Sequence, residues 1–128
     1  MSERKKVVVT GASSGIGMAT AQRFAKEGWE VCVTARRENI LQDLVATFPS
    51  GDHLICAGDY SDPSCAESIG KAIAEKWGKL DVLANVAGVY MAAKVIDSPL
   101  DEWRKPFDMM VDAAVYLTRM AVPWMKTG

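Results

Sequence analysis

Histidine is nearly absent from this sequence: His53 is the only one in 128 residues. A metal site of clustered imidazoles is therefore excluded, as is any nucleophilic triad that needs more than one histidine. Cysteine is scarce as well. Cys32, Cys56 and Cys65 are odd in number and lack C-x-x-C spacing, which argues against a disulfide framework or a zinc ribbon. Cys32 and Cys56 fall in strand-like runs and read as buried free thiols. No residue is assigned as a metal ligand. Charge of one sign is missing too, with 15 Lys and Arg against 16 Asp and Glu. Without a basic field there is nothing to neutralise a phosphate backbone, and a nucleic-acid partner is not expected. Long apolar runs are the last absence. After "MSERKK" only Val7, Val8 and Val9 precede Thr10 and Gly11, too few for a signal-peptide core. The stretch "VLANVAGVYMAAKVI" is interrupted by Asn85 and Lys94, so no membrane span is expected. The default is a soluble cytoplasmic protein.

What is present is an ordinary globular mixture, 49% hydrophobic and 24% charged, of a length that suits one domain over residues 1–128. Short apolar runs alternate with longer amphipathic segments. "KVVVT" reads as a strand buried on both faces. "GIGMATAQRFAKEG" reads as a helix stopped by Gly28. "EVCVTA" is a second strand, and Glu38 to Phe48 a second helix ended by Pro49. "HLICAG" is a third strand. Asp62-Pro63 opens a third helix that runs to about Trp77-Gly78. "LDVLANVAG" is a fourth strand. Ser98, Pro99 and Asp101 start a last helical stretch reaching about Lys126, in which Pro106 separates a short opening turn from the main helix and Pro123 kinks or ends it. The four tryptophans, Trp29, Trp77, Trp103 and Trp124, lie near element ends and read as packing anchors. Strand–helix alternation of this kind predicts an α/β fold with a parallel sheet and helices on both faces. Right-handed crossovers make strand order 3-2-1-4 the natural choice, a doubly wound Rossmann-type sheet.

Three β-branched residues stand directly before the glycines of "VVVTGASSGIG". Glycine in such a strand-to-helix turn permits positive φ, lets a ligand approach bare backbone and lets the helix pack closely on the strand. A helix starting near Gly15 has unpaired N–H groups and a partial positive charge at its first turn, which suits a pyrophosphate. Ser13 and Ser14 add hydroxyl donors. No G-K-[ST] follows, so a Walker-type loop is excluded.

"TGASSGIG" resembles the T-G-x-x-x-G-x-G fingerprint of the short-chain dehydrogenase/reductase family, which binds NAD(H) or NADP(H). "VTARR", "GDYSDP", "KLDVLANVAG" and "DEWRKPFDMM…AVPWM" continue the likeness in the family's order, over essentially the whole chain. The resemblance implies that Gly11, Ser13, Ser14, Gly15, Ile16 and Gly17 line the pyrophosphate and its ribose. It implies that Asp59 and Tyr60 border the adenine. Asn85, Ala87 and Gly88 would match the family's N-N-A-G segment beside the cofactor.

Charge at the end of the second strand selects between the two cofactors. A carboxylate there accepts from the 2′-OH of NAD and repels a 2′-phosphate. Here the strand ends in Ala35, Arg36 and Arg37, and a guanidinium is a planar, permanently charged partner for phosphate. NADP(H) is therefore expected over NAD(H). The competing reading makes both arginines solvated residues at the start of the next helix.

The family's catalytic serine, and its tyrosine with a lysine four residues later, would follow a fifth strand beyond "MKTG". The sequence carries the first half of the doubly wound fold, and no catalytic residue is assigned within it. "YMAAK" gives Tyr90 and Lys94 the right spacing, but after the fourth strand, so Tyr90 reads as a loop aromatic. Two positions depart from the family's pattern. Val86 stands where its second asparagine usually does. Met110 occupies the place of a helix asparagine that supports a water relay, and methionine cannot donate that hydrogen bond. Met109 and Met110 otherwise read as packing residues. The expected function is an NADP(H)-dependent oxidoreductase acting on a small carbonyl or alcohol substrate. The alternatives are a non-catalytic NADP(H)-binding module or sensor, or an inactive fragment. An open fourth strand and an apolar stripe through Val111, Ala114, Val115, Met120 and Ala121 predict a homo-oligomer.

Overall fold

A computed structural model describes residues 3–88 and 96–125. Strands β1 (Lys6–Thr10), β2 (Glu30–Ala35), β3 (Leu54–Ala57) and β4 (Val82–Ala84) form one parallel sheet in the order β3-β2-β1-β4. Helices α1 (Gly15–Lys26), α2 (Glu38–Ala46) and α3 (Pro63–Lys76) connect them. The expected topology is the one observed.

The alternation of side chains along a strand divides the apolar residues between two layers. Val7, Val9, Val31 and Val33 point to one face and pack on Ala21 and Ala25 of α1 and on Leu41 and Leu44 of α2. Val8 and Cys32 point to the other face, against Ile69 and Ile73 of α3. All three valines of β1 are fully buried, which is why the first strand shows no polar alternation in the sequence.

Several elements are shorter than their sequence patterns. Helix α2 ends at Ala46 because the N–H groups of Thr47 and Phe48 turn back three residues and the Thr47 hydroxyl donates to the Leu44 carbonyl. His53 stays outside β3: its Nδ1 accepts the Val31 N–H at 3.1 Å and its Nε2 donates to the Pro49 carbonyl. The one histidine is thus structural. Strand β4 stops at Ala84 because the next amides bond a side chain of β1. Helix α3 begins as expected, with Asp62 accepting the Ser64 N–H at 2.9 Å.

The last helical stretch departs from expectation. Pro106 does not separate two segments. Helix α4 (Leu100–Pro106) runs into a wide π-type stretch (Phe107–Asp112) and on into α5 (Ala113–Ala121). Proline has no N–H, and its ring crowds the carbonyl four residues back, so the ordinary ladder cannot continue past it. The chain widens instead, and the Ala113 N–H reaches the carbonyl of Asp108. A 3₁₀ turn carrying Pro123 (Val122–Trp124) ends the stretch. Ala113, Leu117 and Ala121 of α5 pack with α3 in the core. Trp77 is buried and donates from its indole to the Asp52 carbonyl, an anchor as expected; Trp103 is exposed and is not one.

Candidate functional site

The site grows from the end of β1. The Thr10 hydroxyl oxygen accepts the N–H groups of Val86 and Ala87, each at 2.9 Å, and so ties the first strand to the segment that leaves β4. Gly11 follows at φ +65, and a Cβ there would stand 2.9 Å from the Ala87 Cα. Only glycine permits that approach. At Gly17 a Cβ would overlap the Gly11 carbonyl oxygen, so helix α1 presses directly on the turn. Gly15 has φ +54 but open space around its missing side chain. The first two glycines of the fingerprint thus have positive φ, and Gly17 serves close packing.

Ser14 is extended and makes no side-chain cap, and no acidic residue lies in the first turn of α1. The amides of Gly15, Ile16 and Gly17 consequently lack intrahelical partners and face a cleft at the positive end of the helix dipole. The cleft measures about 430 Å³. Gly11, Ser13, Ser14, Gly15, Ile16, Gly17, Arg36, Arg37, Tyr60, Ala87 and Gly88 all line it. Asp59 and Asn85 are not in its wall. Asp59 reaches it through Arg36, and Asn85 lines a smaller neighbouring cleft of about 150 Å³ with Thr10, Met109 and Met110. Ala35, Val86 and Met109 complete the larger cleft. Met109 is the residue that sequence reasoning missed. Its sulfur lies 3.9 Å from Arg36 Nη2, so the helix after β4 closes over the end of β2. Nothing local marks it, because the contact depends on the wide stretch after Pro106.

Arg36 is 3.5 Å from Asp59 Oδ1, and both side chains are largely exposed. The Asp59 carboxylate accepts the Ser61 hydroxyl and amide, and these, with Arg36, hold it below its usual range. Arg37 caps the start of α2 and has no ion-pair partner among the described residues.

Tyr60 is only 5% exposed. Its hydroxyl accepts the Gly11 N–H at 2.8 Å and donates to the Thr34 carbonyl. Burial pushes this phenol up to about 12. The three cysteines are free, and Cys32 and Cys56 approach to 3.8 Å beneath the sheet. Burial and the neighbouring sulfurs raise Cys32 and Cys65, whereas the hydrogen bond from Cys32 lowers Cys56. No cluster fit to hold a metal occurs among the described residues. Met110 sits in the wide stretch, with its methyl 3.4 Å from where a Gly88 Cβ would be. Tyr90 and Lys94 lie outside the described residues. No helix among the described residues is long and apolar enough to cross a membrane.

A family model described as short chain dehydrogenase matches residues 5–128. The chain belongs to the short-chain dehydrogenase family. Among relatives in that family, meso-2,3-butanediol dehydrogenase of Serratia marcescens is 35% identical over 121 residues, 94% of this chain and 48% of the relative. Serine 3-dehydrogenase of Rhizobium radiobacter is 34% identical over 91% of this chain and 47% of its own. The chain spans about half the length of these curated relatives. L-sorbose reductase from Gluconobacter frateurii, solved with NADPH and L-sorbose, superposes with a TM-score of 0.88 at 32% identity, covering 95% of this chain and 48% of that one. A short-chain dehydrogenase/reductase from Brucella melitensis gives a TM-score of 0.90 at 28% identity over 95% and 50%. The short-chain dehydrogenase fold, a Rossmann-type sheet that takes a nicotinamide dinucleotide, is therefore the fold of this chain. Members of the family are oxidoreductases acting on alcohol and carbonyl groups.

Proposed function

We propose that this chain is the cofactor-binding half of an NADP(H)-dependent oxidoreductase that moves a hydride between the nicotinamide and a small carbonyl or alcohol substrate. The observation that carries this reading is that one cleft holds both the unpartnered amides of α1 and two guanidinium groups at the end of β2. The amides suit a diphosphate. The arginines, following an alanine rather than a carboxylate, suit a phosphate on the adenosine ribose.

In this reading Gly15, Ile16 and Gly17 offer backbone donors to the diphosphate, and Ser13 and Ser14 offer hydroxyls. Arg36 and Arg37 hold the 2′-phosphate. Asp59 and the ring of Tyr60 border the adenine, and Asn85, Ala87 and Gly88 form the floor beneath the nicotinamide half. The cofactor supplies the hydride chemistry when bound; the chain binds and orients it, and no residue here is assigned to proton transfer. The Arg36–Asp59 pair does not oppose this. An exposed pair is worth about 1 kcal/mol at most, and a phosphate dianion is the stronger partner.

The double variant Arg36→Ala, Arg37→Ala tests the assignment. Charge-assisted hydrogen bonds contribute roughly 1.5–3 kcal/mol each, so NADPH affinity should fall about 10-fold or more beyond any loss for NADH. Equal losses for both cofactors overturn the NADP(H) preference.

Met110 favours a second reading, a non-catalytic NADP(H)-binding module or sensor, because a thioether donates no hydrogen bond. Purified protein that binds NADPH yet oxidises it with no aldehyde or ketone in a panel supports that reading; turnover removes it. We also propose a homo-oligomer in a cytoplasmic setting. The free thiols suit a reducing compartment. On the helices after β4, Phe107, Val111, Val115 and Val122 are each about half exposed. Met120 and Ala121, expected in this stripe, instead pack inward with α3.

A further inference from the structure

We propose that the Tyr60 hydroxyl is a positioning group: it sets the shape of the phosphate-facing turn and withdraws the Gly11 amide from the phosphate cradle. The inference rests on the cofactor reading above and concerns a role distinct from bordering the adenine. Tyr60 leaves the loop after β3, yet its hydroxyl lies between two other elements. It takes the N–H of Gly11, the first residue of the turn, and gives its own proton to the carbonyl of Thr34, near the end of β2. The same carbonyl also accepts the Ala12 N–H at 3.2 Å. One phenol therefore joins the two ends of the cleft, the glycine turn and the strand that carries Arg36.

The loop that holds Tyr60 is itself fixed. The Gly58 N–H donates to the Ala35 carbonyl at 2.9 Å, the Asp62 N–H to the Asp59 carbonyl at 3.1 Å, and the Ser61 hydroxyl to the Asp59 carboxylate at 2.8 Å. Consecutive side chains then point opposite ways: Asp59 outward to Arg36, Tyr60 inward under the turn. Burial of the phenol leaves water no share in this bridge. Gly11 has the positive φ of a backbone that is free to relax once its amide loses a partner. Phenylalanine fills the same space but neither accepts from Gly11 nor donates to Thr34. The diphosphate is left to the amides of Gly15 to Gly17, whose direction the brace maintains.

The test uses the purified protein and its Tyr60→Phe variant, with NADPH and NADH titrated separately by nicotinamide fluorescence. The expected result is a loss of about 10-fold for both cofactors in equal ratio, because the turn serves the diphosphate they share. The Arg36→Ala, Arg37→Ala variant should instead lose NADPH selectively, so the two sets of residues are distinguishable. A second measurement needs no variant. In the amide spectrum of the wild-type protein, Gly11 should be protected from exchange before ligand is added and should shift little with NADPH, while Gly15, Ile16 and Gly17 shift strongly. A structural role alone would not produce that contrast. Unchanged affinity of Tyr60→Phe beside tight wild-type binding overturns the brace and leaves the cofactor reading intact. Fast exchange at Gly11 also overturns it. Absence of dinucleotide binding by the wild-type protein overturns both.

Discussion

Lys6 and Glu30 meet where β1 and β2 begin, 3.2 Å apart with side chains only 5% and 10% exposed. Lys6 also donates to the Arg4 carbonyl, but the second carboxylate oxygen of Glu30 has no protein partner. Breaking such a pair leaves a buried charge uncompensated, so Glu30→Leu should cost about 3–5 kcal/mol in urea unfolding; an unchanged midpoint would contradict it. Tyr60 gives a prediction of a different kind. The folded protein keeps its phenol protonated to about 12, whereas an exposed tyrosine ionises near pH ~10. Between these values only the unfolded chain releases the proton, so this contribution to stability is complete below pH ~10 and is lost as pH climbs through the folded value. Tyr60→Phe should therefore show a shallower fall in melting temperature over that alkaline range, and identical slopes would contradict it. Neither feature is legible in the sequence. Tyr60 and Gly11 are 49 residues apart, and which way the loop after β3 turns its side chains is settled by tertiary packing. The glycines and arginines are legible because strand-to-helix turns constrain their immediate neighbours.

At the level of elements, the turn and α1 make a matched pair. Gly15 has positive φ with open space, while Gly17 has ordinary φ and no space. Gly15→Ala should thus cost only the left-handed strain of about 1–2 kcal/mol. Gly17→Ala must push α1 off the turn and should cost more than about 3 kcal/mol or abolish NADPH binding. Thermal melts of both variants check this ordering, and the reverse order would contradict it. Element type and order are legible from hydrophobic periodicity because both faces of the sheet are covered. The ends of α2, β3 and β4 are not, because Thr47, His53 and Thr10 capture backbone groups through their side chains. Pro106 misleads for a related reason. A proline removes one hydrogen bond, but the register can widen to absorb the loss, and here that brings Met109 over Arg36.

For the whole molecule, β4 pairs only with β1 among the described residues, and the helices after it carry exposed Phe107, Val111 and Val115. Apolar surface of that extent along one helix side promotes association. Light scattering of the purified protein should report a dimer or larger species, which Val111→Glu combined with Val115→Glu should dissociate; a monodisperse wild-type monomer would contradict this. The layered fold and the location of the cleft follow from sequence pattern, whereas the division of α5 between inward and outward residues depends on the wide stretch that precedes it. The account as a whole turns on where a dinucleotide sits. A crystal structure of the protein with NADPH tests that most directly: the diphosphate should lie over the amides of Gly15, Ile16 and Gly17, with the 2′-phosphate between Arg36 and Arg37. A diphosphate bound away from that turn, or a 2′-phosphate touching neither arginine, would contradict it.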